Sequence, residues 1–361
     1  MNSGNAAGGR SVGYTGLSAI IALVSFAQIS FGAAIVGETR TVSDIPEVVS
    51  DIDSIKVGYQ RPQDIPFPEN NPYTLKKALL GQRLFFDKRL SNSSAQSCAS
   101  CHDPGYGWGD GLPVGVGYRM AKLARRSPSI VNGAWGATYM WDGRAANLED
   151  QATAPIQSAV EMNMPLAALL TRLGTLPEYN LLFEAAFPNE GLSATTLAKA
   201  LATYERTIVS EQAPFDAWID GDEGAISERA KRGFAIFNTK GHCSSCHEGW
   251  NFTNDGFQDI GLPGTDAGRG QILPQVKKMN HAFKTPGLRE IASRGPYMHD
   301  GSIGTLEAVI EYYDRGGIDR PSRSDLIVPL GLTVQDKLDL VVFLQSLSSK
   351  LTPTTLPVFP R

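Results

Sequence analysis

Two stretches decide the reading of this chain: Cys98-Ala-Ser-Cys101-His102 and Cys243-Ser-Ser-Cys246-His247. Each is a C-x-x-C-H, the attachment signature of a c-type haem. Two thiols three positions apart reach the two haem vinyl groups and form thioethers, and the next imidazole then lies close enough to ligate the iron. A four-thiolate zinc site or a redox C-x-x-C pair would also use cysteines at this spacing. Neither requires a histidine directly after each pair. The chain has 4 cysteines, and the two motifs use all of them, so the spacing predicts two covalently bound haem c groups.

A chain of 361 residues exceeds what one ordinary core organises. Hydrophobic residues make up 42% and charged residues 19%, as in a globular protein, and a net charge of −4 without a basic run gives no reason to expect a nucleic-acid partner. Arg10 precedes an apolar run from Leu17 to Val24 that continues weakly to Ile29, and small residues follow at Ser30, Gly32, Ala33 and Ala34. That layout predicts a secretory signal over residues 1–34, cleaved near Ala34. An uncleaved anchor is the other reading, but Ser25, Gln28 and Ser30 interrupt the run before the ~20 apolar residues that a span needs. No later segment is long and apolar enough to span. Export to the periplasm suits the haems, because bacterial c-type haem is attached outside the cytoplasm.

Residues 35–72 read as an extended N-terminal segment. A helix is expected over 73–86, with Leu75, Leu79, Leu80 and Leu84 on one buried face. A second is expected over 227–238, and both precede a haem motif. Gly81-Gln-Arg-Leu-Phe85 and Gly233-Phe-Ala-Ile-Phe237 echo one another and suggest an internal repeat. Further helices are expected over 165–173, 194–209, 305–313 and 333–347, the last opened by a capping box at Thr333 and Asp336. A polar break over 211–224 marks a domain boundary. The fold expected is mostly α: two cytochrome-c-like haem domains with long loops, over 73–210 and 211–350, followed by a tail over 351–361.

An electron-transfer haem has both axial positions filled, whereas a reactive one leaves a position open. Beyond the motif histidines the chain offers His242, His281 and His299, besides methionines and tyrosines, and residue type alone does not choose among them. The block from Trp141 to Glu161 stands apart: a Trp-Asp-Gly-Arg turn, then a helical-looking run carrying Gln151 and Glu161.

These motifs, with Pro155-Ile-Gln-Ser-Ala-Val-Glu161-Met, Phe283-Lys-Thr-Pro-Gly-Leu-Arg289 and Pro296-Tyr-Met-His-Asp-Gly301, resemble the bacterial dihaem cytochrome c peroxidase superfamily over about residues 73–348. The resemblance implies two haem domains with a calcium ion between them. It makes His102 the proximal ligand of a peroxide-reacting haem, with Gln151 and Glu161 over its open face. Splitting a peroxide O–O bond requires a proton moved from one oxygen to the other, and a carboxylate in a water-poor pocket can move it. That is the role implied for Glu161, with Gln151 orienting peroxide or water and Trp141 relaying an electron between the haems. His247 would hold the second haem. The methionine that classical members place fourteen residues after the histidine of the His-x-Gly turn is absent, and counting from His299 gives Tyr313. A tyrosinate there is the pattern of the MauG branch, the enzymes of methylamine utilisation. Met298 is the competing ligand. For calcium, the resemblance points to the Asn132 side chain and the carbonyls of Arg294 and Pro296. One departure stands out: the surface tryptophan of the MauG branch, two residues before the second motif, is Gly241 here, and Trp250 is the nearby substitute.

The expected function is that of a periplasmic dihaem oxidoreductase using hydrogen peroxide. The implied partner is a methylamine dehydrogenase precursor, in which two tryptophans become tryptophan tryptophylquinone. The alternatives are a peroxidase fed by a small redox protein, and a dihaem electron carrier without catalysis.

Overall fold

A computed structural model describes residues 52–350, 354–357 and 359. The expected export signal lies outside these residues, as do part of the N-terminal segment and most of the tail. The described residues belong to one contiguous unit beginning at Val49. None of its helices is long and apolar enough to cross a membrane.

The fold is mostly α with long loops. The described helices are α1 (Ile52–Lys56), α2 (Leu75–Phe86), α3 (Leu148–Gln157), α4 (Leu166–Gly174), α5 (Pro177–Ala186), α6 (Ala194–Arg206), α7 (Pro214–Ile219), α8 (Glu228–Asn238), α9 (Leu306–Arg315) and α10 (Val334–Ser346). Between them run single 3-10 turns and one two-residue antiparallel ladder, Phe257–Gln258 with Phe283–Lys284. Side-chain caps start the helices where the sequence places them. Thr74 accepts from the Lys77 N–H at 3.2 Å and Ser227 from the Ala230 N–H at 3.2 Å. Thr333 and Asp336 form the expected reciprocal box. Gly316, left-handed at φ 81°, ends α9.

Two helix pairs carry the architecture: α2 packs on α6, and α8 on α10. The glycine of each echoed stretch sits at the crossing. A Cβ on Gly81 would lie 2.0 Å from Ala200 O, and one on Gly233 would lie 2.1 Å from Asp339 O. The echo is therefore a packing requirement, repeated because the same crossing is built twice. Around the first pair lies a core of Leu80, Leu84, Phe85, Leu197, Leu201 and Tyr204. Around the second lies one dominated by Phe215, Phe234, Phe237, Phe252 and Phe343.

Three expectations are corrected. Leu75 and Leu79 are 62% and 51% exposed, because the face of α2 that meets α6 runs through Ala78, Leu80, Gly81, Leu84 and Phe85. The segment before residue 73 is not simply extended: it holds α1, and Tyr59 is buried in the second core with its hydroxyl 2.7 Å from Asn238. The polar break at 211–224 contains α7, whose Phe215 and Trp218 are buried in that same core.

Candidate active site

Each C-x-x-C-H folds as a tight turn. The His102 N–H donates to Cys98 O at 2.9 Å and the Cys101 N–H to the same oxygen at 3.1 Å; Cys243 O takes His247 and Cys246 at 2.9 and 3.2 Å. The turn brings both thiols and the imidazole to one cavity wall: Cys98, Cys101 and His102 line one cavity, and Cys243, Cys246 and His247 another. Each imidazole is anchored by Nδ1, at 3.2 Å from Trp108 O for His102 and 2.9 Å from Phe252 O for His247. An Nδ1 bonded to a carbonyl carries the proton and leaves Nε2 as a free donor to a metal. Burial holds both imidazoles below the usual histidine range, in the neutral form an iron requires. Both cavities thus present two thiols and a ligating nitrogen, the set that a c-type haem uses.

The cavities differ in what else lines them. Gln151, Glu161 and Met162 share the first with His102. Gln151 lies on α3, but Glu161 does not share its helix as the sequence suggested. The helix ends at Gln157, after the internal Pro155, and Glu161 sits on the following turn, its N–H bonded to Ser158 O at 3.1 Å. The second cavity is almost wholly apolar, walled by Leu288, Leu306, Ile310 and Leu344, and contains Tyr313 and Met298 besides His247. Of the adjacent tyrosines on α9, Tyr312 donates to Ile260 O at 3.0 Å, whereas the Tyr313 hydroxyl has no hydrogen-bond partner among the described residues. Burial drives the Tyr313 phenol well above its ordinary range, with the nearby Cys246 and Cys243 adding to it. A cation bound beside its hydroxyl would favour deprotonation.

Trp141 lines both cavities. Its indole N–H donates to Arg126 O at 3.0 Å, and its ring stands edge-on to His299 at 6.4 Å. The turn that carries it is fixed by Asp142, which takes Arg125 at 2.6 Å and Arg144 at 2.8 Å. Arg125 also grips Asp266 with two bonds, at 2.6 and 2.9 Å, and that contact holds the Asp266 carboxyl below its usual range. Trp250 stands edge-on to Trp135 at 4.7 Å.

Sequence reading missed two participants. Glu205, on the buried side of α6, lines the first cavity and is pushed up to about 8 by burial, against the opposing pull of Arg206. A glutamate in register with Leu197 and Leu201 was the available signal. The other is Arg126, which occupies the carbonyl pair expected to hold calcium. Arg126 Nη1 donates to both Arg294 O and Pro296 O. The Asn132 amide is meanwhile spent on Ser210 and Asn251 at 3.1 and 2.9 Å, and its oxygen accepts from the Ser210 N–H at 2.9 Å. The carbonyl pair expected to bind calcium is thus met by a guanidinium, and the Asn132 oxygen already accepts one hydrogen bond.

Residues 75–224 match the family described as di-haem cytochrome c peroxidase, and residues 230–348 match cytochrome c. The chain is 45% identical over 346 residues to the methylamine utilization protein MauG of Methylorubrum extorquens, covering 94% of this chain and 98% of that one. The chain belongs to the dihaem cytochrome c peroxidase family. Another member, MauG of Methylophilus methylotrophus, is 48% identical over 84% of this chain and 91% of its own. The cytochrome c551 peroxidase of Pseudomonas aeruginosa is 33% identical, over 83% and 86%. Among solved structures, a MauG-like protein associated with microbial copper homeostasis superposes with a TM-score of 0.74 at 31% identity, over 81% of this chain and 95% of that one. Family membership makes the chain a haem-dependent oxidoreductase with two c-type haems, which the two cavities fit.

Proposed function

We propose that this oxidoreductase is a periplasmic maturation enzyme of the MauG type. It would use hydrogen peroxide to cross-link and oxygenate two tryptophans of a methylamine dehydrogenase precursor, giving tryptophan tryptophylquinone. The observation that carries the reading is the inequality of the cavities: Gln151 and Glu161 accompany His102, and Tyr313 accompanies His247. The 45% identity to MauG across nearly both whole chains supports it.

In this reading residues 73–210 and 211–350 form two haem modules. Cys98, Cys101 and His102 hold the first haem, and Cys243, Cys246, His247 and Tyr313 hold the second. Bound haem supplies the redox chemistry, accepting and releasing electrons as peroxide is reduced. Glu161 holds the proton that must pass between the peroxide oxygens, and Gln151 orients peroxide or water by its carboxamide. Tyr313 supplies an anionic oxygen once it gives up its proton to solvent, which favours the oxidised states of its haem. Trp141, on the wall common to both cavities, carries an electron between them.

A second reading, reduction of peroxide to water with electrons from a small redox protein, draws on Gly241. The position where the MauG branch carries a surface tryptophan has no side chain, leaving Trp250, three residues after His247 and paired edge-on with Trp135, as the tryptophan nearest the second motif in sequence. A non-catalytic carrier is disfavoured because a glutamate and a glutamine beside an open ligand position would have no task. Holoprotein mixed with peroxide and a methylamine dehydrogenase precursor decides between these readings. We expect quinone absorbance and an active dehydrogenase; rapid peroxide consumption with a reduced cytochrome and no quinone would select the peroxidase.

A further inference from the structure

The junction between the two cavities contains a pair of backbone carbonyls, Arg294 O and Pro296 O, that turn toward one cation. That cation belongs to the chain. Arg126 Nη1 lies 2.9 Å from Arg294 O and also donates to Pro296 O. Arg126 is buried, at 8% exposure. A second guanidinium, that of the half-buried Arg294, lies nearby and donates to Arg289 O.

A calcium ion takes six to eight oxygen ligands, several of them commonly carboxylates. A divalent ion at these carbonyls would meet two guanidinium charges, that of Arg126 buried and that of Arg294 half-buried, with Asp110 and Glu290 the carboxylates that act on them. The carboxamide of Asn132, the expected side-chain ligand, is engaged by Ser210 and Asn251.

We propose that the Arg126 guanidinium is the resident cation of this junction, standing where the family would place calcium, and that this protein needs no calcium to hold its two haem sites in register. The backbone of the same residue completes the lock. Its N–H donates to His299 O at 2.9 Å, and its carbonyl accepts the Trp141 indole N–H at 3.0 Å. One residue thus ties the 294–299 loop, through its side chain and its amide, to the tryptophan that lines both cavities. A covalently tethered cation cannot dissociate, so the position of Trp141 becomes independent of free calcium. The inference concerns the junction and stands whichever substrate the enzyme oxidises.

The test uses holoprotein purified with calcium in every buffer and then desalted. Elemental analysis should find calcium far below one equivalent per chain. Titrating calcium should give no binding heat, and a chelator should leave the electron paramagnetic resonance (EPR) spectrum and melting temperature unchanged. Arg126→Asn removes the guanidinium and adds a carboxamide oxygen; it should melt several degrees lower, with any recovery coming only from added calcium. One equivalent of calcium in the wild type, or a chelator-sensitive wild-type spectrum, overturns the proposal. So does an Arg126→Asn holoprotein with wild-type melting and spectra in chelator. If that variant fails to assemble, the wild-type calcium content and chelator response decide alone.

Discussion

Alanine at either crossing glycine should perturb one haem and spare the other. At Gly81 an added Cβ would fall 2.0 Å from Ala200 O and 2.7 Å from the Tyr204 Cβ; at Gly233 it would fall 2.1 Å from Asp339 O and 2.7 Å from the Phe343 Cβ. Ordinary carbon contacts begin near about 3.5 Å, so each helix pair must part by roughly 1 Å. Overpacking of this kind costs about 1–3 kcal/mol, against a gain of about 1 kcal/mol from replacing glycine inside a helix. Because the clash is with backbone carbonyls, the cost lies at the upper end, and a net loss of about 2 kcal/mol should lower the melting temperature by about 3 °C. The displaced ring then carries the strain to a specific histidine. Tyr204 stands 6.5 Å from Trp108, whose carbonyl holds the His102 Nδ1. Phe343 stands 6.0 Å from Phe252, whose carbonyl holds the His247 Nδ1. Resting ferric protein should show one high-spin and one low-spin haem by EPR. Gly81→Ala should shift the high-spin signal and Gly233→Ala the low-spin one. Both variants at wild-type melting temperature, or Gly81→Ala moving only the low-spin signal, would refute the crossing geometry and the route from it to each imidazole.

Tyr313→Phe should alter the low-spin spectrum, while Tyr312→Phe, which loses only the bond to Ile260 O, should leave that spectrum intact and cost about 1 kcal/mol of stability; an unchanged Tyr313→Phe spectrum removes Tyr313 as a ligand. Glu161→Gln should slow the reaction with peroxide by about 10²–10⁴-fold in rapid-mixing absorbance, with both haems retained, and a wild-type rate in that variant would end its proton-transfer role.

The helical fold and both haem motifs were legible because each depends on local sequence. C-x-x-C-H closes a single turn, and the caps at Thr74, Ser227 and Thr333 act within three residues. What was not legible depends on partners distant along the chain. Leu75 and Leu79 have helical spacing, yet α6 meets the neighbouring stripe, and no feature of residues 73–86 says where α6 will lie. Tyr59 joins a core built from residues after 214, which its own polar surroundings do not advertise. Asn132 is a suitable oxygen donor as a residue type, but the structure uses it to fasten Ser210 and Asn251. Arg126, beside Arg125 in an unremarked Arg-Arg pair, takes the carbonyls instead. Residue type proposed the oxygen ligands; which cation the carbonyls face depends on where Arg126 lies in three dimensions.

The repeat also runs deeper than the helical echo. Tyr139-Met-Trp-Asp-Gly-Arg-Ala145 and Tyr297-Met-His-Asp-Gly-Ser-Ile303 share four of seven residues and one backbone form. Tyr139 bridges Ala145 as Tyr297 bridges Ile303, Met140 and Met298 stand at φ 69° and 70°, and Gly143 and Gly301 at 66° and 64°. The same frame presents Trp141 from one half and His299 from the other, and sets the two rings 6.4 Å apart at the junction. The substitution within that frame divides the labour. The indole spends its single N–H on Arg126 O and lines both cavities. The imidazole stacks on Phe283 at 3.6 Å, and burial keeps it below its usual range despite Asp300 and Asp266. The electron-relay role proposed for Trp141 therefore has a stacked histidine, not a second indole, as its counterpart across the repeat. A duplicated backbone can therefore support unequal haem sites, because the inequality lies in a few side chains: Trp141 against His299 at the junction, and Gln151 with Glu161 against Tyr313 in the cavities.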